Sequence, residues 1–149
     1  MTTFRERLSP GVGTALGLLL LAPAVALVVL PLPLPEGSPI VAAVLVTAAA
    51  EALVFGSVPV IEVRDGELRA GPARIPVHQT GEVEALRGAE AREARGTGLD
   101  ARAHILFRGS IDPVARIAIT DPDDPAPYWV LSTRRPEELA GALAAARTR

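Results

Sequence analysis

The side chains able to do chemistry are few and scattered. There are two histidines, His78 and His104, and no cysteine. The histidines fall in different segments, without the H-x-x-x-H or H-E-x-x-H spacing that puts two imidazoles on one helix face. A metal would need distant carboxylates to complete its shell, so neither metal nor cofactor is expected. Asp121, Asp123 and Asp124 offer hard oxygens of the kind a divalent cation takes. The intervening Pro122, Pro125 and Pro127 read instead as a rigid turn with solvated carboxylates. No nucleophile elbow, phosphate loop or dinucleotide fingerprint is present. Without thiols, disulfides and cysteine nucleophiles are excluded. No catalytic residue is expected, and the chain does not read as an enzyme.

Two groups remain. Tyr128 and Trp129 are the only Tyr and the only Trp, and Arg134 and Arg135 follow closely. Adjacent residues of a strand face opposite ways, so one aromatic enters the core and the other lies outward. Paired arginines can grip a lipid phosphate or a partner carboxylate. Trp129, Arg134 and Arg135 are therefore the candidate interaction residues, against the plainer reading that Trp129 is core and the arginines decorate a helix entry. The second group is one residue, Glu51, the single charge in a long apolar run. An acid placed within a membrane suggests a proton or ion path; the plainer reading is a protonated carboxyl lodged against a neighbouring helix.

The apolar runs carry the largest structural statement. Residues 11–30 have no charge, and residues 40–58 have only Glu51. Each approaches the roughly 20 residues a helix needs to cross a bilayer. Ala24-Val25-Ala26 resembles a signal-cleavage site, but the first run exceeds the usual apolar core of a signal peptide and a second run follows at once. The expectation is a transmembrane hairpin over residues 11–58, with Pro23 inside the first span as a packing kink. Arg5 and Arg7 precede it, and Arg64, Arg69 and Arg74 follow it. The connector 31–39 has no basic residue. The positive-inside rule then makes this a multi-pass plasma-membrane protein with both termini cytoplasmic, residues 1–10 being a short N-terminal segment.

From residue 59 to 149 the pattern changes to short alternating strands. Seven are expected: 60–64, 67–70, 73–77, 82–87, 102–108, 114–120 and 128–133. Asp65-Gly66 marks a hairpin between the first two. Residues 88–100 are left open between a helical turn and a loop. A C-terminal helix over 136–147 follows, with Pro136 and two glutamates in its first turn. The fold class is thus a two-helix hairpin followed by a small mainly-β (α+β) domain of antiparallel strands. From Ile61 onward there are 13 arginines against 14 acidic residues, so no basic excess points to nucleic acid.

The segments FRERLSPG, IEVRDGELRAGPARIPV and DPDDPAPYWVLSTRRPEELAGAL resemble an actinobacterial family of uncharacterised two-helix membrane proteins, domain of unknown function 3093. The strand order, closed by a helix, is similar to pleckstrin-homology-like domains. The resemblance implies architecture and location, and no catalytic residues. The function expected is a membrane-tethered, non-enzymatic interaction module that binds a protein partner or lipid headgroups. Its partners are the bilayer and another protein, or a second copy through the hairpin. The alternative is an accessory subunit of a transporter or proton-linked complex that uses Glu51.

Overall fold

The structure is a computed structural model and describes residues 2–29, 35, 37–56 and 58–148. The chain divides into two compact units, residues 9–58 and residues 1–8 with 59–149.

The unit of residues 9–58 holds α1 (Val12–Val29) and α2 (Ser38–Gly56), which pack against each other. Pro23 lies inside α1. Pro39 sits in the first turn of α2, where the missing N–H leaves no bond unmade. Thr47 Oγ1 donates to the Ala43 carbonyl within α2, at 2.8 Å, so its hydroxyl needs no outside partner. Ala43 is the buried residue of α2; the helix otherwise presents apolar side chains outward. α2 is long and apolar enough to cross a membrane. Most of the expected connector falls outside the described residues.

The other unit is α+β. Its first sheet has the order β1-β2-β3-β4, all antiparallel: β1 (Thr2–Arg7), β2 (Val60–Arg64), β3 (Glu67–Ala70) and β4 (Ala73–Pro76). Asp65 and Gly66 both take positive φ at the β2–β3 turn, the geometry an Asp-Gly pair accepts most readily. The second sheet has the order β5-β7-β8-β6, with β5 (Thr80–Leu86), β6 (His104–Leu106), β7 (Val114–Ile119) and β8 (Tyr128–Ser132). α3 (Gly88–Arg95) follows β5, and α4 (Pro136–Arg147) ends the chain.

Two expectations need correction. Residues 1–10 do not form a segment apart from the domain: Thr2–Arg7 is a strand, paired with β2. Nor are all strands antiparallel, because β6 runs parallel to β8. β5 and β8 already flank β7, so β6 takes the free edge of β8. A strand that reverses into β7 must then run the same way as the strand that reverses out of it.

Alternation sorts the side chains. Phe4 and Leu8 of the N-terminal segment join Ile61, Val63, Leu68, Ile117, Leu131 and Leu143 in the main core. α4 packs against β5, β7, β1 and β2, burying Leu139 and Leu143 four residues apart. α3 forms a second, smaller core: Ala91 and Ala94 meet Val114 and Val130. The second sheet is therefore covered on both faces. That is why Trp129, Val130, Leu131 and Ser132 are all buried.

Candidate functional site

Glu6 is the most unusual residue of the domain. It is an acid at an inward position of β1, between Phe4 and Leu8, and only 6% exposed. A buried carboxylate needs donors, and it has them. Its Oε1 accepts the Arg134 backbone N–H at 3.0 Å, and its Oε2 accepts the Thr133 hydroxyl. The Arg134 guanidinium lies 3.6 Å away. Thr133 Oγ1 in turn accepts the Arg135 N–H at 3.1 Å. The first strand and the lead into the last helix are thereby fastened together.

The two predicted arginines extend that fastening. β1 is an edge strand, whose outer carbonyls have no ladder partner. Arg135 Nη2 donates to the Arg5 carbonyl at 2.9 Å, and Arg134 Nη1 donates to the Arg7 carbonyl at 3.3 Å. Arg135 also stacks over the Phe4 ring, 5.0 Å from its centroid, and pairs with Glu138 at 3.0 Å. The third predicted residue, Trp129, is 4% exposed and lies in the main core. Trp129 and the arginines do not converge on one surface. Tyr128 faces the other way: its hydroxyl donates to the Gly98 carbonyl and accepts the Asp100 N–H, and Arg116 lies over its ring.

Trp129 does meet a titratable group. The His104 ring lies 4.5 Å from it, tilted by 49°. His104 Nε2 is buried without a hydrogen-bond partner among the described residues. Burial pushes its pKa below the usual imidazole value, and the charge of Asp124 opposes that shift.

The aspartate turn is built from internal bonds. Asp121 accepts from Gln79 at 2.7 Å and from the Asp123 N–H at 3.0 Å, and Asp124 accepts the Ala126 N–H at 2.8 Å. Among the described residues no group of three His, Asp or Glu is placed to hold a metal ion. Asp112 has a similar structural task at α3. It accepts the Gly88 N–H and pairs with Arg95 at 2.8 Å, and these bonds hold its carboxyl below the usual range. Glu51 lies exposed on α2, with no ion pair or hydrogen bond among the described residues.

The outward face of the first sheet was not singled out by sequence. Alternation puts Arg5 and Arg7 of β1, Glu62 and Arg64 of β2, Glu67 and Arg69 of β3 and Arg74 of β4 on it. Strand periodicity alone gives this face once the strands are known. The missing element was β1.

Comparison with known families covers both fastened segments. Residues 3–143 match DUF3093, described as a protein of unknown function. The chain belongs to this family. No curated protein and no solved structure matches it. The DUF3093 match runs from β1 into α4, so Glu6 and its partners on Thr133 and Arg134 all lie within the matched residues.

Proposed function

We propose that this DUF3093 protein is a membrane-tethered, non-enzymatic interaction module. In this reading α1 and α2 both cross the plasma membrane, and the folded domain lies on the cytoplasmic side. The observation that carries the reading is that β1 precedes both helices, β2 follows both, and the two strands pair. Neighbouring strands share one side of a bilayer, so the intervening chain crosses an even number of times. The Leu8 N–H bonds the Pro59 carbonyl at 3.0 Å, so the chain leaves and re-enters the domain at adjacent points.

Exposure supports the same reading. The large apolar side chains left exposed lie almost all on α1 and α2, among them Leu20, Leu27, Ile40 and Leu53. Water would not tolerate so continuous an apolar surface; lipid does. The basic residues on both flanks favour the cytoplasmic side. The domain also fits a pleckstrin-like reading: a meander β1–β4, a second meander β5-β7-β8 and a closing α4. Residues 9–58 are then an insertion between the first two strands, and α3 and β6 are additions.

Because the chain has no cysteine, single cysteines report topology cleanly. Thr3→Cys and Thr148→Cys should label with an impermeant maleimide only after the cytoplasmic side is opened, and Pro35→Cys in intact cells. Labelling of all three from one side would overturn the two crossings. A second reading, an accessory subunit of a transporter or proton-linked complex, draws on Glu51. An acid in a span without a partner among the described residues draws attention to a partner in another chain. Loss of proton flux in Glu51→Gln at normal protein level would favour it.

A further inference from the structure

We propose that the outward face of the first sheet binds phosphate-bearing anionic lipid headgroups, with Arg7, Arg69 and Arg74 as the principal contacts. This rests on the membrane reading above and names the partner of its domain. Five arginines stand on the face against two glutamates. Arg64 and Arg69 have carboxylate partners, Asp65 and Glu67, each at 2.9 Å. Arg5, Arg7 and Arg74 make no ion pair among the described residues.

Register adds a specific feature. Arg5, Glu62, Arg69 and Arg74 form one row across the four strands, with Arg69 directly opposite Arg74. Like charges facing across a ladder repel, and an anion between them relieves the repulsion. The two arginines line a shallow depression of about 270 Å³ with Gly71, Pro72 and Ala73. Gly71 takes positive φ and donates its N–H to the Val60 carbonyl at 3.0 Å. A Cβ there would lie 3.6 Å from Pro59. The β3–β4 turn is thus beside the point where the chain leaves for residues 9–58, and Arg7 immediately precedes Leu8. A guanidinium fork suits a phosphate, and a chain that enters a bilayer soon after Leu8 keeps Arg7 within reach of phosphates.

The test uses the full chain in nanodiscs, either wholly phosphatidylcholine or with roughly one third phosphatidylglycerol. Hydrogen exchange is followed in peptides covering β1 and the β3–β4 turn. Anionic lipid should slow exchange there, by about fivefold for each arginine engaged. The effect at the β3–β4 turn should vanish, while that at β1 near Arg7 remains, in Arg69→Gln with Arg74→Gln, exposed substitutions that leave the melting temperature unchanged. It should also shrink at roughly 0.5 M salt. Soluble inorganic phosphate at the same charge density should not reproduce it. An embedded chain whose exchange ignores lipid charge overturns this inference alone and leaves the face to an acidic protein. A chain extracted from the discs by alkaline carbonate overturns the membrane reading and this inference with it.

Discussion

At the scale of single residues, position decides what a charged side chain does. Arg134 and Arg135 read from sequence as a grip for a lipid phosphate or a partner carboxylate, or as decoration of a helix entry; in the fold they bond the carbonyls at the edge of β1. Sequence could not signal this, because their acceptors, the carbonyls of Arg5 and Arg7, carry no side-chain identity. His104 was legible as lying in the strand expected over 102–108, but its contact with Trp129 was not. That contact yields a prediction. The folded-state pKa of His104 is depressed below 6.5 by burial. Above that value both folded and unfolded states hold it neutral. Below it the unfolded chain takes up the proton first, so stability falls with pH until the folded state is protonated too. Thermal unfolding followed by the single tryptophan should show this loss below about pH 6.5. The loss should be reduced in His104→Leu; an unchanged acid slope in that variant would assign it to other groups.

At the scale of elements, the strands and α4 were readable because each shows its own periodicity: Leu139 and Leu143 for the helix, Ile61 and Val63 for a strand. β1 was not readable. Its inward positions are Phe4 and Glu6, and the acid breaks the apolar alternation that marks a strand. Among the described residues Thr133 and Arg134, more than a hundred residues away, make that acid tolerable. α3 was half hidden for a related reason: charges surround the Ala91 and Ala94 stripe that docks it. Removing Glu6 should release β1. Glu6→Ala leaves the Thr133 hydroxyl and the Arg134 N–H short of an acceptor, at a cost of about 2–3 kcal/mol. Arg134→Ala, with its side chain 44% exposed, should cost less than about 1 kcal/mol. Comparing the melting temperatures of the two variants checks the order; equal losses would mean the guanidinium, not the carboxylate, holds the strand.

At the scale of the whole molecule, the domain is assembled from both sides of an insertion. Leu8 and Pro59 are hydrogen-bonded neighbours, so the chain between them can be replaced by a tight turn. A variant joining Leu8 to Pro59 through Asn-Gly should be a soluble monomer with buried tryptophan emission. Gel filtration and fluorescence read this directly, and an aggregated or unfolded product would show that residues 9–58 are needed to form the domain. The insertion's apolar character was plain from composition. That it interrupts a sheet was not, since no local pattern links residue 7 to residue 60.

The pairing of β1 also sets an order in time. It is made before every other described strand, yet Glu6 finds Thr133 only after 127 further residues. At ordinary elongation rates that is a wait of roughly 6 to 25 seconds. Through it Phe4 and Leu8 lack Leu139 and Leu143 of their core, and a chain stopped before residue 133 never supplies them. A prematurely ended product therefore leaves Phe4 and Leu8 partly uncovered, where a chaperone or protease can find them. The arrival of Thr133 thus certifies the placement of Glu6.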